Sequence, residues 1–285
     1  SMNPVLVLPR ALATRGTSIA EQLAASALLA MGQFCTSPGL VAFVDGEGAE
    51  RFHAMLRDKL SAATGGALTE HTLETATDRG LASVFGDAVT IHPFSQRAEL
   101  SHGYRETALQ LGMVPAQTTM RGFGDDGPRR RTATLRSYRS FDGHARQAKL
   151  PASYGELLQS VYANVGLSIE ARTEPAPSEG EAVTANVDEP RSLAFMRLRR
   201  WDRQAGTALK RAVRHLLSRH VDVVYADLDL VAVGEVDEAT AELNELGFFA
   251  AGLVLHGPDG HDHLRLQLLD SEQIENVLAM FSEMG

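Results

Sequence analysis

The sequence predicts an α/β fold of mixed sheets with packed helices. Segments with apolar residues at helical spacing alternate with short strand-like runs rich in Val, Ile, Leu and aromatic residues. Gly, Pro and Asp cluster between these segments, which is typical of turns. One corner, formed by a helix end, a glycine, an aromatic residue and a strand, occurs at Ser101–Leu109 and again at Glu245–Leu253. The repetition indicates two related α/β units in the chain.

Composition narrows the class of protein. With 285 residues the chain is long enough for about two domains. The net charge of -9 argues against general nucleic-acid binding. We find neither a run of about 18 apolar residues nor a basic segment followed by an apolar one, so no membrane span or secretory signal is predicted. A single cysteine excludes an internal disulfide framework and fits a reducing compartment. We therefore expect a cytoplasmic protein without nucleic-acid or membrane partners.

Residues 1–80 have a pattern of their own. A short strand is followed by a helix that Thr17 or Ser18 can cap, with Ile19 and Leu23 on its apolar face. A second strand and two further helices complete the segment. The predicted elements are strands at 3–8 and 40–44 and helices at about 17–31, 49–61 and 69–78.

The only cysteine, Cys35, lies in a turn rich in Gly, Ser and Pro, Gly32–Leu40, between a predicted helix and a predicted strand. Such a turn can expose a reactive thiolate, but it can equally hold an inert thiol. The sequence therefore marks Cys35 as a candidate nucleophile, whose activity depends on a base and an acceptor supplied from elsewhere.

The segment around this cysteine resembles the aldehyde dehydrogenase superfamily. The similarity is carried by Asn3-Pro4-Val5, the predicted helix Ile19–Met31 and the turn Gly32–Gly39, and the most similar branch oxidises 2-oxoglutarate semialdehyde. The resemblance implies that Cys35 attacks an aldehyde and that the thiohemiacetal passes hydride to NAD(P). In the family, the dinucleotide-binding domain and the general-base glutamate precede this region. No Gly-x-Gly-x-x-Gly opens a helix after a strand in this sequence.

The remaining chain is expected to form a partial unit at 81–170, a linker or mobile loop at 171–190, and a second unit at 191–285. The linker prediction rests on the many Glu, Pro, Ala and Ser residues in that stretch. The predicted strands are 84–91, 104–113, 132–138, 192–198, 221–230, 248–255 and 263–269, and the predicted helices are 95–101, 153–165, 206–220, 238–246 and 271–284.

Several polar residues are candidates for a site. His92, at a strand end before Pro93, is either a general base or a hydrogen-bonded histidine at a strand end. His261 and His263 would share one side of a strand, which is compatible with zinc, whereas a polar hairpin explains them equally simply. Asp227 and Asp229 could share a strand face but lack a third ligand. We therefore predict no metal site.

The two units resemble the GNAT superfamily of N-acetyltransferases. Val89–Arg97 with the Gly103-Tyr104 corner is similar to the distal half of that fold, and 191–285 resembles a second copy. The resemblance implies acetyl-CoA, whose pyrophosphate the family binds with a helix-opening loop of pattern Gln/Arg-x-x-Gly-x-Gly/Ala. A splayed strand pair would leave room for the pantetheine arm. Arg121–Gly127 fails the pattern because Asp126 holds its last position, and Val233–Glu235 is acidic.

Three hypotheses remain open. The first is an acetyltransferase-like protein joined to a truncated aldehyde dehydrogenase segment, weak or inactive as an acyl-CoA transferase and acting as a binding or assembly module for acyl-CoA or a protein, with an oligomer as one form. The second is an oxidoreductase that uses Cys35 on a semialdehyde and needs NAD(P) and a base from elsewhere. The third is a fusion without an evolved function.

Overall fold

A computed structural model describes residues 3–28, 38–61, 68–91, 93–118, 130–141, 143–257 and 259–269. It divides into an N-terminal unit, Ser1–Arg79, and a C-terminal unit, Gly80–Gly285. Cys35 and His92 lie outside the described residues, as do the loop at 121–127 and the helix expected at 271–284. No helix in the described ranges is long and apolar enough to cross a membrane.

The N-terminal unit packs helices against a parallel pair of strands. Its elements are β1 (Asn3–Val7), α1 (Pro9–Leu28), β2 (Pro38–Phe43), α2 (Ala49–Ser61) and α3 (Leu68–Asp78). Leu12 and Phe52 are fully buried in its core. The helix predicted to start at Thr17 or Ser18 begins at Pro9 instead. Proline fits the first turn of a helix because that turn needs no N–H from it, and burial of Leu12 stabilises the added turns.

The C-terminal unit is built on one curled, eight-stranded mixed sheet with packed helices, which confirms the predicted mixed α/β class. The strands follow the order β3-β5-β4-β11-β12-β10-β9-β8. They are β3 (Ser83–Val89), β4 (Arg105–Val114), β5 (Thr132–Ser140), β8 (Val183–Asp188), β9 (Leu193–Leu198), β10 (Val223–Asp229), β11 (Phe249–Val254) and β12 (His263–Leu269). The helices are α4 (Phe94–Ser101), α5 (Gly155–Val165), α6 (Arg203–Ser218) and α7 (Val236–Glu245), and β6 (Arg146–Ala148) forms a small parallel pair with β7 (Ile169–Ala171).

The sheet contains an internal repeat. The first repeat, β3-α4-β4-β5, and the second repeat, β10-α7-β11-β12, share one topology, in which the last strand lies between the other two. Both helices end at a left-handed glycine, Gly103 or Gly247. In each case the next residue's N–H bonds back to the helix, Tyr104 to Glu99 at 3.1 Å and Phe248 to Leu243 at 3.0 Å. This is the geometry expected of a glycine helix stop.

The two repeats meet at the antiparallel contact of β4 with β11. The registered pair there is Ala108 with Gly252. Ala108 lies five residues after Gly103, and Gly252 lies five residues after Gly247. Equivalent residues of the two repeats therefore face each other. The repeats are therefore related by a local two-fold arrangement around this pair.

Residues 171–190 differ from the predicted linker or mobile loop. They include β8, which pairs antiparallel with β9 along its whole length. Val183 and Val187 pack against the main hydrophobic cluster, and the Ala176 N–H donates to the Val231 carbonyl at 2.9 Å. Pairing with β9 and partial burial of Val183 and Val187 stabilise a strand despite the polar composition.

The two faces of the sheet are covered differently. Helices α5, α6 and α7 bury Leu158, Leu209 and Leu243 against one face. On the other face, the end of β4 curls over β9 and β10, so that Leu111 packs in a cluster with Val223 and Tyr225. The Tyr225 hydroxyl donates to the Leu111 carbonyl at 2.7 Å. This contact covers the end of the sheet at which the parallel strands β9 and β10 begin.

Candidate functional site

The carboxyl ends of β9 and β10 form the most polar edge of the C-terminal unit. In α/β sheets, ligands bind outside the carboxyl ends of parallel strands. Helix α6 begins directly after β9, and the turn between β11 and β12 reaches the same edge, where Arg199 Nε lies 3.3 Å from Asp259 Oδ2. This edge therefore brings together helix amides, charges and histidines from distant parts of the sequence.

The first turn of α6 carries a pattern that the sequence prediction missed. Arg203, Gly206 and Ala208 match Gln/Arg-x-x-Gly-x-Gly/Ala and open the helix after a strand, whereas Val233–Glu235 precedes α7 without that pattern. The predicted helix began at Gly206, so Arg203 was placed outside it. The signal that could have found the site is Asp202, a favoured N-cap residue four positions before Gly206.

The amides at this helix start are already engaged. Asp202 is the N-cap residue, and its Oδ1 accepts from the Ala205 N–H at 2.8 Å. The Asp202 carbonyl accepts from the Gly206 N–H at 3.0 Å. A carboxylate at the N-terminus also compensates the helix dipole. An anionic ligand at the Ala205 amide would therefore have to displace a built-in carboxylate.

A cleft of about 430 Å³ lies beside this cap, between α6 and α7. Lys210 Nζ and Glu242 Oε1 bridge it at 2.7 Å. Its charged lining consists of two cations and three carboxylates, namely Arg203, Lys210, Asp202, Glu238 and Glu242. The size suits a small organic group, whereas the charge does not favour a phosphate.

The parallel strands next to the cleft are closed. β9 and β10 pair without a register shift from Leu193 with Val223 to Leu198 with Leu228. A pantetheine arm between them would require these six consecutive pairs to part. The described backbone therefore shows no splay at the place that the resemblance would assign to an acyl-CoA arm.

An aspartate–histidine pair lies at the end of β10. Asp229 is buried, and its Oδ1 accepts from the N–H groups of Val231 at 2.8 Å and Ala232 at 2.9 Å. Its Oδ2 lies 2.8 Å from Nδ1 of His261, whose side chain is 25% exposed. A carboxylate in this position orients an imidazole and allows its other nitrogen to accept a proton.

His263, the first residue of β12, and its neighbour Asp262 have structural partners. His263 is buried with Nε2 3.8 Å from Asp229 Oδ2, and burial lowers its pKa. Asp262 accepts from Arg146 at 2.8 and 2.9 Å and from the Tyr162 hydroxyl at 3.0 Å. Within the described ranges, no three His, Cys, Asp or Glu side chains are placed to hold a metal ion.

A chain of polar side chains, buried at Gln110, Asp227 and Arg265 and exposed at Asp87, joins the two repeats. Asp87 pairs with Arg136 in the first repeat, and Asp227 pairs with Arg265 in the second, each from the first strand to the last. Gln110 donates to Asp87 at 2.7 Å and accepts from Arg265. Burial alone would raise the pKa of Asp227, but the Arg265 guanidinium holds it below the ordinary value. The network is structural, since each group is satisfied by another.

Comparison with known proteins finds short matches to one enzyme class. The chain is 39% identical over 80 residues to alpha-ketoglutaric semialdehyde dehydrogenase 2 of Azospirillum brasilense and 41% identical over 58 residues to alpha-ketoglutaric semialdehyde dehydrogenase of Acinetobacter baylyi. These stretches cover 28% and 20% of this chain, and only 15% and 11% of the two enzymes. No protein-family profile and no solved structure matches the chain.

The chain therefore contains an aldehyde-dehydrogenase-like segment, which confirms that part of the sequence prediction. The resemblance of the two later units to N-acetyltransferases stays a prediction. Cys35 and His92 also remain predictions, because both lie outside the residues that the structure describes.

Proposed function

We propose that the protein is an acetyltransferase-like, GNAT-fold protein joined to an aldehyde-dehydrogenase-like segment, weak or inactive as an acyl-CoA transferase and acting as a binding or assembly module. The observation that carries this proposal is the start of α6. There a sequence of the expected phosphate-loop pattern is present, but its amides are capped by Asp202. The repeated strand–helix–strand–strand topology supports the assignment of two related units.

Electrostatics argue against tight acyl-CoA binding at this cap. A pyrophosphate at the α6 N-terminus would lie next to the Asp202 carboxylate and near Glu238 and Glu242. Asp202 is 48% exposed, so solvent screens the repulsion to about 1 kcal/mol or less. The closed β9–β10 pair adds the cost of separating hydrogen-bonded strands. Together these terms favour weak binding without productive transfer.

Isothermal titration with acetyl-CoA tests the proposal. We expect the unchanged protein to bind acetyl-CoA with a dissociation constant of about 1 mM or higher. Asp202→Asn keeps a good N-cap and removes the charge, so it should bind roughly three- to ten-fold tighter. Asp188→Asn is a matched control, because Asp188 caps the short 3-10 turn Glu189–Arg191 in the same way.

Two results would contradict this proposal. Tight binding by the unchanged protein, with acyl transfer to an amine, would disprove the inactive state. Equal affinity of Asp202→Asn and the unchanged protein would show that the α6 start is not where acyl-CoA binds.

The dehydrogenase matches favour a second candidate, an oxidoreductase that uses Cys35 on a semialdehyde. NAD(P) would accept the hydride, and a base supplied by a partner chain would activate the thiol. Selective alkylation of Cys35 by iodoacetamide near neutral pH would support it, with no reduction of NAD(P) by the chain on its own. A Cys35 that resists iodoacetamide in the folded protein would count against it.

A further inference from the structure

One edge of the eight-stranded sheet is open. In the part of the chain that the structure describes, β3 pairs with β5 and has no strand on its other side. Its equivalent in the second repeat, β10, pairs with β12 on one side and in parallel with β9 on the other. The second repeat therefore shows which kind of neighbour fits the position beside β3.

The two equivalent strands differ sharply in exposure. The sequence Val84-Phe85-Gly86-Asp87 corresponds to Val224-Tyr225-Ala226-Asp227, and both aspartates pair with an arginine on the last strand of their repeat. Tyr225 is 0% exposed, whereas Phe85 is 58% exposed. Tyr225 is covered by Phe195 of β9, whose ring stacks on it at 5.5 Å. Phe85 packs on Tyr138 of β5 at 5.6 Å and lies under the Arg136 guanidinium, but in the described chain no strand on its open side supplies a counterpart of Phe195.

Backbone geometry makes the open edge a template for a strand. The Thr90 N–H donates to Ala133 at 3.0 Å, and Ala82 accepts from Phe141 at 2.9 Å, at the two ends of the β3–β5 ladder. Antiparallel pairing alternates, so even-numbered residues of β3 bond to β5. Phe85, Asp87 and Val89 therefore direct their N–H and C=O groups toward the open edge. A row of such groups is what an added strand recognises.

We propose that the open edge of β3 binds an extended segment of a partner protein as a parallel strand. The chemistry of that segment follows from β9, in which Phe195 lies beside Tyr225 and Arg197 is registered with Asp227. The partner strand thus carries an aromatic residue against Phe85 and a basic residue beside Asp87. This binding rests on the assembly role proposed above, for which the β3 edge is the binding surface. It does not depend on acyl-CoA binding.

A second copy of the chain fits this edge less well. A two-fold dimer through β3 would pair the strands antiparallel, and centring the pair on Gly86 would place Phe85 opposite Asp87. The parallel arrangement in the second repeat offers each of these residues a complementary neighbour instead. The partner is therefore a different segment, with the sequence chemistry of β9.

The whole chain can be tested with a synthetic peptide of residues Ser192–Arg199, labelled with a fluorophore and followed by anisotropy. We expect saturable binding, weakened about ten-fold by Phe85→Ser, which removes the exposed ring. Leu217→Ser is the matched control, since Leu217 is 41% exposed on α6 and should leave the affinity unchanged. A scrambled peptide of the same composition should not bind.

Hydrogen exchange distinguishes strand addition from loose hydrophobic contact. With peptide bound, exchange at the amides of Phe85, Asp87 and Val89 should slow about ten-fold, and the amides of Val84, Gly86 and Ala88, already bonded to β5, should not change. The proposal would be overturned if the peptide does not bind, if Phe85→Ser binds it equally well, or if the scrambled peptide binds equally well. Unchanged hydrogen exchange on binding would also overturn it. So would a dimer that the protein forms without peptide and that Phe85→Ser dissociates. None of these outcomes alters the acetyl-CoA titration, so the two proposals fail separately.

Discussion

At the scale of single residues, Gly252 allows the two repeats to meet. Its φ is +138°, and a Cβ built there would lie 2.6 Å from the Ala108 Cα and would also strike the Thr107 carbonyl oxygen. The obstacle is backbone, which cannot move aside as a flexible side chain can. The contact between β4 and β11 thus depends on the missing side chain of one residue.

Replacement of Gly252 by alanine should therefore be costly. We expect Gly252→Ala to lower the free energy of unfolding by about 3 kcal/mol, because it combines backbone strain with a clash. Urea unfolding followed by the fluorescence of Trp201, the only tryptophan, measures the change. Gly143→Ala is the control, since nothing lies within 4 Å of its Cβ position. A loss of less than about 1 kcal/mol in Gly252→Ala would refute the close-contact argument.

The stability of the folded protein is also expected to depend on pH through the buried His263. Burial lowers the pKa of His263, although Asp227, Asp229 and Asp262 act in the opposite direction and Arg197 acts with burial. His263 therefore binds a proton less readily in the folded protein than in the unfolded chain, where the pKa of an imidazole is about 6.5. The contribution of neutral His263 to stability is fully present above that pH and is lost as the pH falls through the lowered pKa.

His263→Asn should flatten the decline of unfolding free energy below about pH 6.5, with each unit of pKa lowering corresponding to about 1.4 kcal/mol. His215→Asn, at an exposed position on α6, is the control substitution. The same fluorescence-detected urea unfolding, repeated in steps between about pH 7.5 and pH 5, gives both slopes. If the unchanged protein and His263→Asn have parallel profiles, His263 is not the responsible group.

Sequence reasoning found the residues of this edge but not their roles. His261 and His263 were predicted to share one side of a strand, yet the partner of His261, Asp229, is distant in sequence. The paired Asp87–Arg136 and Asp227–Arg265 were not recognised at all. Such pairs arise from strand register, which no local pattern reveals, whereas an apolar periodicity is local and was informative.

At the scale of elements, prediction worked where burial is strong. The strand β12 was expected at 263–269 and spans His263–Leu269. The boundaries of α6 and α7 each shifted by two or three residues at their starts. At α6 the cap residue Asp202 decides where the helix begins, whereas α7 begins without a side-chain cap. β8 was missed because its alternating Val183, Ala185 and Val187 lie within a Glu- and Pro-rich stretch. Its stability comes from pairing with β9, which is tertiary information.

The repeated corner gives an expectation at this scale. Gly247 ends α7 with φ +91°, a conformation that costs other residues about 1–2 kcal/mol. We expect Gly247→Ala to destabilise the C-terminal unit by about that amount, measured by urea unfolding. Gly155→Ala, at the start of α5 with φ -57°, has open space around its Cβ position and should be neutral or slightly stabilising. Equal effects of the two substitutions would contradict the role of the left-handed stop.

At the scale of the molecule, the two units have separate interiors. The hydrophobic clusters of the C-terminal unit contain residues from Leu111 onward. All eight strands of its sheet lie between β3 and β12 in the sequence. The N-terminal unit has its own small cluster around Leu12 and Phe52. A domain with its own core and its own hydrogen-bonded sheet is expected to fold without help from its neighbour.

We therefore expect residues 80–285, produced without residues 1–79, to keep the fold of the C-terminal unit. Trp201 lies in that unit, so its fluorescence reports on the same transition in the fragment and in the whole chain. The urea midpoints and slopes of the two transitions should coincide, because the slope measures the surface exposed on unfolding and the same core unfolds in both. Gly252→Ala should lower the midpoint equally in both backgrounds, which provides an internal control. A fragment that unfolds with a smaller slope, or that loses its near-ultraviolet circular dichroism, would show that the eight-stranded sheet depends on the N-terminal unit.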